Sequence, residues 1–317
     1  MGMRQRVSSW PASTIDWGEP RPIIEALRSC SGRIVTVLNA ADNLIELQLT
    51  LENELIGVDS AFGSHALYWL KWHALEQLHP DRRFNLFGIH PAGRRIFEYH
   101  ALRPSLPTSA QSWCDQHEMR IREGILYTGS LESAFQIWWR RMTQVVGPWR
   151  WEMTPDEHQA FVSKLWGRPR WRFFERFYPV PWLETWKVQV SRRIPQGLYW
   201  MPPEQCGLER CVDTPHTLSK NPQAPALTAE SVTIIHDALH GWLLTQSEAS
   251  ISGIYLGEGE SDISPELLTQ VYRVLEPAGR VIIWSHQIPN GSRDLQWIPL
   301  TEDYDGFLVG QPWIAIK

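Results

Sequence analysis

Two aspartates stand where a parallel sheet usually grips a nucleoside. Asp59 closes the apolar run from Glu54 to Val58, and Asp237 follows the β-branched run from Val232 to Ile235. A carboxylate at the end of a strand offers two oxygens to paired donors, and the hydroxyls of a ribose are such a pair. Asp59, with Ser60 beside it, is therefore a candidate ribose acceptor. Asp237, with Ala238 beside it, is placed to accept from an adenine amino group. Each also has a plainer reading, as a solvated turn aspartate for Asp59 and as a helix cap for Asp237.

A third polar turn, Asn39-Ala40-Ala41-Asp42-Asn43, follows the run from Arg33 to Leu38. Dinucleotide-binding turns need glycines so that the backbone can approach a pyrophosphate, and this turn has none, which argues against NAD or FAD. A ligand without phosphate is compatible with it. S-adenosylmethionine is one, its ammonium met by turn carbonyls and by Asp42, with Asn39, Ala40 and Asn43 as the other contacts. Gly257-Glu258-Gly259, after the run Ile251 to Leu256, carries an acid between its glycines and suits phosphate poorly; Gly257 is its candidate ligand contact. His236 and His240 have the i, i+4 spacing of helix-borne zinc ligands. No glutamate follows His236 and no third ligand is evident, so no metal site is expected. No Gly-x-Ser-x-Gly elbow is present.

The elements that must hold these residues read as an α/β pattern split in two. Arg33 to Leu38 and Glu54 to Val58 are predicted strands. Leu44 to Leu51 suggests a short helix, and Leu67, Leu70, Ala74 and Leu78 give Ala61 to Leu78 helical spacing. Strand-helix alternation is lost from about Pro80 to Ala229, where short helical patterns sit between proline-rich connectors. It resumes with strands at Val232 to Ile235, Ile251 to Leu256 and Val281 to Trp284. Ser264 and Pro265 open a helix that runs to Leu275. The expected architecture is a parallel, doubly wound sheet built from both ends of the chain, residues 1–79 and 230–317. Residues 80–229 form a helical, tryptophan-rich insertion after the second strand, on the acceptor side.

Composition narrows the classes. A chain of 317 residues, 43% apolar and 21% charged, has ample core for a globular protein. A formal charge of -5 gives no large basic excess for tracking nucleic acid, so none is expected as a partner. No run approaches the roughly 18 to 20 apolar residues that span a bilayer, and the first residues have no apolar core suited to export. The expectation is a cytoplasmic protein without a transmembrane segment. The 4 cysteines have no C-x-x-C spacing and are read as reduced thiols. Of the 18 tryptophans, 8 gather between Trp138 and Trp186, where rings fill a core, line a pocket or sit at a membrane interface. Arg168 to Trp186 interleaves arginines with aromatic rings, a mixture suited to peripheral contact with anionic lipid or, more plainly, to a core helix with solvated arginines.

Two sets of motifs carry a family resemblance. Arg273-Val274-Leu275-Glu276-Pro277-Ala278-Gly279-Arg280-Val281 resembles the R-V-L-x-P-G-G-R hairpin before the fifth strand of class I methyltransferases. Asp16-Trp17-Gly18-Glu19-Pro20, then Ala41-Asp42-Asn43, then Gly124 to Gly129 with Glu132, is similar in order and spacing to the betaine-lipid synthase family. Those enzymes are S-adenosylmethionine:diacylglycerol 3-amino-3-carboxypropyltransferases. The chain departs from them at Ala41, where the family has glycine, at Gly18-Glu19, where it has Glu-Asp, and at Ser60, Ala61 and Ser64. The resemblance implies a Rossmann-like class I methyltransferase fold and S-adenosylmethionine as co-substrate. It also implies release of methylthioadenosine and a lipid or small-molecule acceptor, with Tyr127 and Glu132 as candidates for orienting or deprotonating it. A cyclase or lyase acting within the methionine arm, an ordinary methyltransferase and a non-catalytic binding module are the alternatives.

Overall fold

The computed structural model describes residues 10, 11, 13, 14, 16, 18, 20–88, 94–130, 132–133, 232–258, 263–285, 287–289, 295–300 and 310–317. Most of the tryptophan-rich insertion, including Arg168 to Trp186, lies outside the described residues.

Seven strands form one sheet: β1 (Ile34–Val37), β2 (Leu55–Asp59), β3 (Val232–His236), β4 (Ile251–Glu258), β5 (Leu275–Ser285), β6 (Ile298–Pro299) and β7 (Gln311–Ile316). Their spatial order is β3-β2-β1-β4-β5-β7-β6. β1 pairs in parallel with both β2 and β4, β3 extends β2, and β5 extends β4. The first four strands fall within two residues of their expected spans. The expectation of a wholly parallel sheet is corrected at one edge, since β7 runs antiparallel to β5 and to β6. The order is therefore the 3-2-1-4-5-6 of dinucleotide-binding sheets with one antiparallel strand set between the fifth and sixth.

Period-two alternation divides the strands between two cores. Ile34, Tyr255 and Ile282 pack on the side of α1 (Pro20–Leu27), α2 (Asp42–Thr50) and α3 (Phe62–Gln77). Val35, Ile254 and Ile283 pack on the other, which holds Leu243 of one helix and Leu268 and Val271 of another. In the label order of the described helices these two follow α4 (Pro80–Phe87), α5 (Arg95–Leu102), α6 (Thr108–Gln116) and α7 (Glu118–Glu123), and are α8 (Leu239–Leu244) and α9 (Pro265–Val274). Ser264 caps α9 as expected, its hydroxyl accepting from Leu267 N at 3.2 Å.

α3 is apolar on two sides because it is covered on two sides. Tyr68 and Trp72 face the sheet core, while Leu67, Leu70 and Ala74 join a third core with α4 to α7. The described part of the insertion is thus a helical layer packed on α3. No helix among the described residues is long and apolar enough to cross a membrane.

The hairpin motif before β5 takes a definite shape. β4 pairs Ile251 with Leu275 and then Gly253 with Arg280, so the residues between loop out of the ladder. Ala278 sits in that loop at φ 63, and a Cβ on Gly279 would lie 2.8 Å from the Glu276 carbonyl oxygen. Only glycine fits the second position, and the first holds an alanine in the left-handed region that glycine favours.

Candidate functional site

In an open parallel sheet the crevice lies beyond the carboxyl ends of the strands at the point where the winding reverses. Here β1 has β2 on one side and β4 on the other, which puts that point between β1 and β4. The turn after β1 has two residues in left-handed conformation, Asn39 at φ 46 and Ala41 at φ 73, and Gly257 in β4 has φ 86. A Cβ on Gly257 would stand 2.6 Å from Asn39 Nδ2, so the two strand ends touch only because position 257 is glycine. Ala40 and Ala41 are fully buried.

The turn is closed by a charged network that draws in the N-terminal segment. Asp16 accepts from Ala40 N at 3.1 Å and from Asn43 N at 2.8 Å, while its own N–H donates to Asp42 Oδ2 at 3.0 Å. Lys71, from the middle of α3, donates to Asp42 Oδ1 at 2.6 Å, to the Ala40 carbonyl at 2.7 Å and to the Thr14 carbonyl at 2.9 Å. Asn43 Nδ2 donates to the Tyr255 hydroxyl at 3.1 Å, and Gly18 N donates to Glu258 Oε1. Gly18 itself lies against the Trp284 ring, where a Cβ would come within 2.5 Å of Nε1. Asp42, offered by the sequence to a ligand ammonium, gives its carboxylate to Lys71 and Asp16 in this structure.

Burial, followed by the charge of Asp42, pushes the Asp16 carboxyl up to about 7, against the opposing pull of Asn43 N, Lys71 and Ala40 N. An acid raised from its ordinary 3.8 on folding binds an extra proton in the native state. Its contribution to stability is full below about pH 4 and is lost as the pH rises through about 7. The stability of the wild-type chain relative to Asp16→Asn, read from urea midpoints, should therefore fall across that window. A difference that stays flat with pH would remove Asp16 from the titration.

Asp59 stands at the carboxyl end of β2, half-buried, with Oδ1 accepting from Ala61 N at 2.7 Å. Two imidazoles hold the turn that follows. His65 Nε2 donates to the Asp59 carbonyl at 2.8 Å, and His236 Nε2 donates to the Ser60 carbonyl at 2.9 Å. Their rings meet edge-on at 5.1 Å, with Phe62 at 5.8 Å from each. Burial pushes the His65 imidazole below its ordinary value. Ser60, Asp237 and Ala238 are exposed, and Asp237 Oδ1 accepts from Ala238 N at 2.7 Å, just ahead of α8.

Glu132, read as a candidate base, is buried, and its Oε1 accepts from Thr14 N at 3.1 Å and from the Ser13 hydroxyl. It holds the N-terminal segment in place. Ile125–Tyr127 forms a 3₁₀ turn, and the Tyr127 side chain lies outside the described residues. Of three arginines that could hold a cofactor carboxylate, Arg122 pairs with Glu118 on the surface of α7, and Arg192 and Arg193, like Gly259, lie outside the described residues.

Comparison with protein-family models, with curated proteins and with solved structures finds no match. The crevice is thus read from its own residues. Sequence reasoning set Asn39 to Asn43, Asp59, Asp237 and Gly257 at the carboxyl ends of strands, and the sheet order brings those ends together. It gave Lys71, Glu258 and His65 no role in the site. One signal for Lys71 was available, since it follows Leu67 by four residues and precedes Ala74 by three, inside the apolar stripe of a helix. A lysine there must find partners in the interior.

Proposed function

We propose that this chain is an S-adenosylmethionine-dependent transferase of the class I methyltransferase fold. It moves the 3-amino-3-carboxypropyl group to a lipid or small-molecule acceptor. The observation that carries the reading is Asp59 at the end of β2, beside the switch-point crevice of a sheet ordered β3-β2-β1-β4-β5-β7-β6. The two alanines that replace family glycines add support. Ala41 and Ala278 both keep positive φ, the backbone that the glycines of the resembled motifs would adopt without strain.

In this reading Asp59 takes the ribose hydroxyls and Asp237 the adenine amino group, with Ser60 and Ala238 beside them. The crevice end near Asn39, Gly257 and Glu258 faces the cationic sulfonium. S-adenosylmethionine supplies an electrophilic γ-carbon on that sulfonium. The acceptor's lone pair forms the new bond to this carbon as the carbon–sulfur bond breaks, and the electron pair stays on the sulfur of neutral methylthioadenosine. The departing sulfur needs no acid, so alignment and exclusion of water are the protein's main contributions. An acceptor hydroxyl must also lose a proton, the role offered to Tyr127; Glu132 is proposed as an anchor of the N-terminal segment.

The test is product analysis. Incubation with S-adenosylmethionine, with and without vesicles containing diacylglycerol, should release methylthioadenosine, faster when the acceptor is present. S-adenosylhomocysteine as the main nucleoside would overturn aminocarboxypropyl transfer in favour of methyl transfer. Methylthioadenosine formed at a rate indifferent to vesicles would move the acceptor from lipid to a soluble molecule or to the methionine arm itself.

A further inference from the structure

We infer that Asp16 is a specificity-determining residue of the crevice, its carboxylate filling the amide pair at the start of α2 and so turning the site against phosphate-bearing nucleotides. This rests on the nucleoside reading of the same site and adds what the site rejects.

In dinucleotide-binding sheets the turn after the first strand and the first amides of the following helix hold a pyrophosphate, drawn there by free N–H groups and the helix dipole. In this chain the equivalent amides are Ala40 N and Asn43 N. Both donate to one carboxylate, Asp16 Oδ1 and Oδ2, at 3.1 and 2.8 Å. A bidentate carboxylate has the charge and the spacing of the anion that would otherwise sit there. It arrives from a segment well before β1, held by several other contacts. The Asp16 N–H binds Asp42, Thr14 is bound at its N–H by Glu132 and at its carbonyl by Lys71, and Gly18 N binds Glu258. Asp16 and Gly18 of the early motif and the Ala40-Ala41-Asp42-Asn43 turn, distant in sequence, are thereby two halves of one device.

The groups around the amide pair add to the effect. Asp42 from α2 and Glu258 from β4 carry further negative charge, Tyr255 from β4 is neutral, and the Lys71 ammonium from α3 is already engaged by Asp42. A 5′-phosphate brought to this turn meets a filled anion site and two more carboxylates. An uncharged or cationic 5′ substituent, such as a hydroxyl, a thioether or a sulfonium, meets neither penalty.

Adenosine and AMP are the probes, since they differ only in that phosphate. By calorimetry at pH 8 the wild-type chain should bind adenosine at least about tenfold more tightly than AMP. Asp16→Ser removes the plug and Asp16→Asn removes its charge while keeping its bulk. Both should bring AMP towards parity, by about tenfold or more in the adenosine-to-AMP ratio. Circular dichroism of each variant checks that it is folded. Equal binding of the two probes by wild type overturns the inference without any variant. A wild-type preference that persists in a folded Asp16→Asn assigns the selectivity elsewhere and overturns the role of Asp16. Wild type that binds neither probe overturns the nucleoside reading itself, and the inference with it.

Discussion

Replacing Lys71 by alanine should lower the folding stability by about 3 to 5 kcal/mol, measured by urea unfolding. Its ammonium and the Asp42 carboxylate are nearly sealed from water, at 3% and 9% side-chain exposure. All three N–H donors of the ammonium are used, on Asp42, Ala40 and Thr14. Alanine leaves Asp42 ionised or protonated in the interior beside Asp16, strands two backbone carbonyls and opens a hole in α3. The pair need not stabilise the fold relative to an apolar pair, so the loss comes from breaking it one-sidedly. Lys71→Met/Asp42→Asn, which removes both charges and keeps an acceptor for Asp16 N, should recover much of the stability. A Lys71→Ala variant within about 1 kcal/mol of wild type would mean that the network does not hold the turn.

Asp59→Ala should weaken binding of adenosine or S-adenosylmethionine by about 2 to 4 kcal/mol, while the urea midpoint stays close to wild type. Two charge-assisted hydrogen bonds to the ribose are lost, and the folded chain loses only the bond from Ala61 N. His65 and His236 still hold the turn through backbone carbonyls, so the change is confined to the carboxylate. Calorimetry that gives an unchanged affinity would take the ribose away from Asp59. An equal loss in Asp59→Asn and Asp59→Ala would identify charge as the part that matters.

Strands and strand ends were legible because burial on both faces favours short apolar or β-branched runs, as in Ile34–Val37 and the Ile254-Tyr255-Leu256 part of β4. That put Asn39 to Asn43, Asp59, Asp237 and Gly257 at the carboxyl ends of strands, while which of those strands are neighbours emerges only in the sheet order. The antiparallel edge was not legible, since β6 has two residues and β7 has no turn signal tying it to β5. The Asp16 plug was illegible for a different reason. A carboxylate that caps a distant turn leaves no periodicity in its own segment, and its partners are backbone amides, which have no sequence signature. Ala41 misled in the opposite direction. Its lack of a glycine signal reflects the residue and not the backbone, which adopts the glycine conformation at φ 73.

The sheet is also an obstacle to be met during synthesis. Its interior strand β1 lies between β2, made soon after it, and β4; Gly32 N and Ser252 Oγ, bonded across that join, are 220 residues apart. At roughly 5 to 20 residues per second, on the order of 10 to 40 seconds pass between the emergence of the two. Through that interval the β1 edge, with Ile34, Val35 and Val37, is an apolar strand with unpaired amides, the kind of edge that recruits other chains. That edge stays open to other chains until β4, Ile251–Glu258, is made and pairs with it.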